Sequence, residues 1–179
     1  MKTLFHYGSN CDKQRLNKRL KDTAVPKGKA QTVEDFEIAF DVWSGGNKCA
    51  AADLVRGGHG KAWGVLYEVP DDSLKTLARI EGSRYEQQCI QVTLGTQVQW
   101  AITFLVKSEH RVGNLATSAK YVSHIIKGLR AFDVPDDYVQ KVIDIAIANL
   151  EAASESAAAQ KPALEQLRTP DFLSQTPVK

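Results

Sequence analysis

The stretch LFHYGSNCDKQRLNKRL, residues Leu4 to Leu20, joins an apolar, aromatic run to a charged helical one through Tyr7-Gly8-Ser9-Asn10. Residues Lys2 to Tyr7 predict a short buried strand, because the run is apolar and rich in aromatics. Asp12 to Lys21 predicts a helix with Leu16 and Leu20, four residues apart, on one face. A strand that ends in Gly-Ser-Asn and feeds a helix leaves backbone N–H groups without partners. Such an array, with a helix dipole behind it, attracts an anion such as a carboxylate or phosphate. The same pattern also fits a plain connection in which Asn10 or Asp12 caps the helix. It is not a P-loop, since GxxxxGK[ST] is absent.

Outward from this stretch, the chain of 179 residues is 43% hydrophobic, enough for one domain with a core and short for two. Residues 1 to 30 hold eight Lys or Arg against Asp12 and Asp22, a local charge of +6 within a net charge of +2; the remainder is therefore −4. Most of those cations read as a solvated helix face, and the asymmetry also accommodates an anionic ligand. The net charge is too small to argue for nucleic acid. Cys11, Cys49 and Cys89 are widely spaced with no CxxC, which fits reduced thiols in the cytoplasm. No apolar run approaches membrane-spanning length, and the one after Met1-Lys2 ends at Tyr7, too early for a secretory signal. The expectation is a soluble, cytoplasmic protein.

Strands are predicted at Phe36–Trp43, Lys48–Val55, Ala62–Val69, Gln88–Gln97 and Gln99–Lys107. Arg56 to Gly60 reads as a hairpin loop, and Ser44-Gly45-Gly46-Asn47 as a turn. Pro70-Asp71-Asp72-Ser73 opens a helix, capped by its Asp and Ser residues, that carries Leu74, Leu77 and Ile80 and breaks at Glu81-Gly82. A second helix from Ser118 places Tyr121, Val122, Ile125, Ile126 and Leu129 on one face. A third opens at Val134-Pro135-Asp136-Asp137. Strands dominate the first 107 residues and helices the rest. The fold class is therefore α+β: a small mixed or antiparallel, barrel-like sheet flanked by helices, with the C-terminal helices packed on it. Residues 1–150 form the domain, and residues 151–179 form an Ala-rich helical extension and a mobile tail.

His6, His59, His110 and His124 show neither HExxH nor HxxxH spacing, and no cysteine pair lies near them, so no metal site is expected. Ser9 lacks a GxSxG setting. Cys11 and His6 are a conceivable nucleophile and base, but Cys11 fits better as a packing residue under the helix. Glu81 stands apart. An acid at a helix C-terminus opposes the dipole, and one beside buried leucines has a raised pKa suited to shuttling a proton. An ordinary helix-terminal residue fits the same position.

In combination these pieces resemble the γ-glutamylcyclotransferase family. The motifs are Tyr7-Gly8-Ser9-Asn10; Trp43-Ser44-Gly45-Gly46; Ala62-Trp63-Gly64-Val65-Leu66-Tyr67; Glu81-Gly82 with Tyr85 beyond; and Tyr121, Gly128 and Val134-Pro135-Asp136-Asp137-Tyr138. They run in the family's order over roughly residues 3 to 145. The resemblance implies that the Tyr7–Asn10 loop holds a γ-glutamyl head through backbone N–H groups. It implies that Glu81 is the acid and base, that Tyr85 and Tyr121 belong to the substrate site, and that the product is 5-oxoproline. It implies no metal or organic cofactor. The partner is a small γ-glutamyl substrate, with neither nucleic acid nor membrane, and the chain is a monomer or homodimer. Two departures bear on the leaving group. Phe104-Leu105 stands where the family has Tyr-Leu, and the segment from Glu81 to Tyr85 is short. Other readings of the same residues are a γ-glutamylamine or antibiotic-deprotecting cyclotransferase, and a non-catalytic binding module that uses the same pocket.

Overall fold

The computed structural model describes residues 1–58, 60–113, 115–154 and 166–169. The first strand, β1 (Lys2–His6), buries Leu4, Phe5 and His6 in succession, so both of its faces are covered. A single 3-10 turn, Ser9–Cys11, leads from it into α1 (Lys13–Leu20), whose Leu16 and Leu20 point inward. Asp12 caps α1 by accepting the Gln14 N–H at 3.1 Å. The strands β2 (Val25–Thr32), β3 (Phe36–Ser44), β4 (Cys49–Arg56) and β5 (Trp63–Val69) follow. Then come α2 (Asp71–Glu81), β6 (Tyr85–Leu94), β7 (Gln97–Val106), α3 (Ala119–Ala131) and α4 (Asp136–Ser154).

Five of these strands close a barrel in the order β1-β5-β2-β6-β7, sealed by a parallel contact of Leu4 with Ile102. The other joins are antiparallel. The remaining pair, β3 and β4, forms a separate two-stranded sheet. The fold class is thus α+β, built on a small mixed barrel. α3 lays a continuous apolar stripe, Val122, Ile125, Ile126 and Leu129, into the core, and α4 adds Val139, Val142, Ile143 and Leu150.

Several local expectations change. β2 has no counterpart in the sequence reading. Pro26 and Gly28 flank a register shift in it, and its alternate lysines hide its pleat. Arg56 to Gly60 is not a hairpin loop, because β5 pairs with β1 and β2 and not with β4. The segment runs back along β3 instead. Gly57 N–H donates to Asp35 O (3.2 Å) and Phe36 N–H to Gly60 O (2.9 Å), and a Cβ on Gly58 would sit 2.5 Å from Glu37 Cβ. The N-cap position of α2 is Pro70, which offers no side-chain cap; Asp71 and Asp72 follow it in the first turn, where they complement the dipole. Ile80 is 44% exposed, so Glu81 is not shielded from that side. α4 runs to Ser154, into the Ala-rich segment expected to be helical, and Leu167 is buried in the core. The expected mobile tail lies almost wholly outside the described residues. No helix among the described residues is long and apolar enough to cross a membrane.

Candidate active site

The loop after β1 is fixed from three directions. Tyr67 on β5 donates its hydroxyl to Cys11 O at 3.0 Å, and Cys11 Sγ–H donates to His6 O at 3.0 Å. α3 presses on the same backbone through Gly128: a Cβ there would lie 2.2 Å from Cys11 C and 2.4 Å from Asp12 N. Only glycine permits that approach. His124 and Lys127 of α3 then reach the Asp12 carboxylate at 2.9 and 3.6 Å. Held in this way, the loop carries the amide N–H groups of Gly8, Ser9 and Asn10. None of the three donates a hydrogen bond to a described residue. They are unspent donors, as a nest for an anion requires.

Glu81 meets this loop from the other side. It is the last residue of α2, and Gly82, at a φ of 76°, turns the chain away so that β6 starts only at Tyr85. Glu81 Oε1 accepts from Asn10 Nδ2 at 2.9 Å and lies 3.5 Å from Arg19 Nη1, which itself donates to Asn10 Oδ1 at 3.0 Å. Burial pushes the Glu81 carboxyl above its ordinary value, against the pull of Arg19 and of the Asn10 hydrogen bond. Part of the acid form is thereby retained nearer neutral pH.

Two tyrosines grip one residue of β4. Ala52 N–H donates to Tyr121 Oη at 3.0 Å, and Tyr85 Oη–H donates to Ala52 O at 3.0 Å. Ser9 lies beside Tyr121 Oη, and a Cβ on Gly8 would come within 3.5 Å of that oxygen. Tyr7 sends its hydroxyl to Phe104 O at 2.5 Å. Burial raises the phenol pKa of Tyr7, Tyr85 and Tyr121 well above the usual value, so all three stay protonated.

Tyr7, Gly8, Ser9, Asn10, Glu81, Tyr85 and Tyr121, the residues singled out in the sequence, line one small cavity of about 40 Å³ together with Phe104. A wider outer pocket of about 380 Å³ shares Ser9, Glu81, Tyr85 and Tyr121 with it. Arg15, Arg19 and Arg84 line that outer space, and sequence reasoning assigned none of them a role. The positive charge of residues 1 to 30 was the signal for Arg15 and Arg19, but both face the pocket and not open solvent. His6 also lines the inner pocket; burial and then Arg19 lower its pKa to about 3, so it is neutral. Among the described residues no group of three His, Cys, Asp or Glu side chains converges as metal ligands would.

The loop after the first barrel strand and Glu81, 71 residues further along the chain, thus line one pocket of the kind that takes a small ligand. The family model for gamma-glutamyl cyclotransferase, AIG2-like, matches residues 4–123, two thirds of the chain, and the chain belongs to that family. No curated protein matches the sequence. Among solved structures, a gamma-glutamyl cyclotransferase superposes with a TM-score of 0.71 at 19% identity, covering 79% of this chain and 85% of that one. The uncharacterized protein loc79017 from Homo sapiens gives 0.71 at 21%, covering 78% and 85%. YkqA from Bacillus subtilis gives 0.66 at 22%, covering 81% of this chain and 54% of its own. These likenesses concern the fold.

Proposed function

We propose that the protein is a γ-glutamylcyclotransferase that releases 5-oxoproline and an amino acid or amine from a small γ-glutamyl substrate. The single observation that carries this reading is the 2.9 Å contact between Asn10 of the loop and the raised-pKa carboxyl of Glu81. It sets an anion site and a base side by side. The amides of Gly8, Ser9 and Asn10 hold the substrate's α-carboxylate. That fixes the α-ammonium beside Glu81, which takes one proton from it. The freed amine attacks the substrate's own γ-carbonyl carbon and closes a five-membered ring. The C–N bond to the leaving group then breaks: Glu81 returns its proton to the departing nitrogen and relays the extra proton of the ring nitrogen to it as well, so that a neutral lactam and an ammonium result. An oriented intramolecular attack of this kind gains roughly 7–11 kcal/mol over a bimolecular one. A carboxyl with an ordinary pKa near 4.3 is a weak base toward an ammonium, and desolvation narrows that gap. The three cysteines are free, consistent with work in the cytoplasm.

The test is 5-oxoproline release from γ-glutamyl dipeptides, glutathione and γ-glutamylamines. Glu81→Gln, which keeps the shape and the Asn10 contact, is expected to lower turnover by about the 10²–10⁴-fold typical of a general base. The wild-type rate is expected to rise with pH through a value above the usual glutamate range. Near-normal turnover by a folded Glu81→Gln protein refutes the assignment.

A further inference from the structure

Three guanidiniums face the outer pocket, and they are not equivalent. Arg19 is committed to Glu81 and Asn10. Arg15 and Arg84 meet no carboxylate within ion-pair range among the described residues. Arg15 Nη2 donates to the Asn47 side-chain oxygen at 2.7 Å, and its Nε is buried without a partner. Arg84 Nη1 donates to Trp43 O at 3.1 Å. Both therefore rest on the Trp43–Asn47 turn through neutral groups. Among the described residues Glu81 is the only acid lining the pocket. Burial and the neighbouring Arg19 both pull the Arg15 pKa down, as expected of a cation that lacks its counter-ion.

We infer that the outer pocket receives the leaving half of the substrate, that this half carries a carboxylate, and that Arg15 and Arg84 determine that specificity. The inference rests on the cyclotransferase reading. The shared residues Ser9, Glu81, Tyr85 and Tyr121 make the outer pocket continuous with the inner one, so a γ-glutamyl head at Gly8–Asn10 directs its amide-linked remainder outward. There it meets two unneutralised guanidiniums, whose planar forks suit a carboxylate. A leaving group that ends in an ammonium meets the same charges as repulsion, and a neutral one leaves them unpaired.

The experiment compares γ-glutamyl-alanine with γ-glutamyl-alaninamide, which differ only in the charge of the leaving half. Wild-type kcat/KM is expected to favour the acid by about tenfold, chiefly through KM, with the preference shrinking as salt is raised. Arg15→Gln and Arg84→Gln are each expected to move the acid-to-amide ratio severalfold toward one, and Arg84→Lys to keep part of it. If the arginines merely brace the Trp43–Asn47 turn, both substrates weaken in proportion and the ratio stays; that result overturns the inference, as does a wild-type ratio near one. Release of 5-oxoproline from neither substrate defeats the cyclotransferase reading itself. Calorimetric binding of the same two compounds then decides the inference separately. Tighter binding of the acid that is lost in the arginine variants upholds it; equal binding, or none, overturns it.

Discussion

Tyr121 shows how one side chain can serve both core and site. Its ring lies on the apolar face of α3 and meets Phe40 edge-on at 6.5 Å, while its hydroxyl takes the Ala52 N–H beside Ser9. From the residue pattern the position reads as an aromatic on a helical stripe, and only the family resemblance gave it a place in the site, because Ala52 on β4 lies 69 residues away along the chain. Tyr121→Phe keeps the ring and strands a buried N–H. Leaving a buried donor unsatisfied costs about 1–3 kcal/mol, so a lowered urea midpoint with an unchanged slope is expected. Activity is expected to fall as well, since the hydroxyl lines the inner pocket beside Ser9. A Phe variant with wild-type stability and wild-type turnover would show that the hydroxyl matters to neither.

At the scale of elements, the site is one turn clamped between α2 and α3. α3 reaches the Ser9–Cys11 turn through Gly128, where a Cβ would collide with Cys11 backbone at 2.2 Å. Helix propensity alone favours Gly128→Ala by about 1 kcal/mol. Backbone cannot swing aside as a flexible side chain does, and overpacking costs about 1–3 kcal/mol. A lower Tm and a weakened substrate KM are therefore expected; a Tm at or above wild type would mean that α3 shifts freely. The loop and Glu81 were legible because each carries its own local signature: a Gly-Ser-Asn break after an apolar strand, and an acid set against a helix dipole. β2 was not, because Pro26, Gly28 and lysines at alternate positions interrupt the hydrophobic period, and its strand character comes from β5 and β6 on either side. The inward turn of Arg15 and Arg19 was also hidden. Their helix face is covered only because the Trp43–Asn47 turn, distant in sequence, forms the opposite wall of the pocket.

For the molecule as a whole, the question is what holds the β3–β4 sheet against the barrel, since Ala52 on β4 supplies a pocket wall. Asp53 does much of it. It is fully buried, accepts from Val106 N–H of β7 at 2.8 Å, and takes Arg111 Nε at 2.8 Å. The segment that carries Arg111 then follows the sheet: Val112 N–H donates to Asp41 O at 2.6 Å and Ala50 N–H to Ala116 O at 2.7 Å. Asn149 of α4 closes the clasp by donating to Phe40 O at 3.0 Å and Leu115 O at 2.8 Å. Asp41, the extra residue where the β3–β4 register shifts, fits this network poorly. Its Oδ1 is buried without a partner, Arg111 Nε is 3.9 Å away, and Asp53 adds a like charge. Burial first, and Asp53 second, raise its carboxyl to about 6. A group whose pKa is higher folded than unfolded binds its proton more tightly in the native state, so stability is lost as pH rises toward and through the folded value. The window here runs from about pH 4, the ordinary aspartate range, to just above 6. Asp41→Asn cannot ionise and is expected to lack this decline. Its stability relative to wild type should grow between pH 4 and pH 6 and level off above, as read from urea unfolding at each pH. Parallel pH profiles for the two proteins would show that Asp41 ionises as freely in the fold as in the unfolded chain, and that the clasp bears no buried charge at that corner.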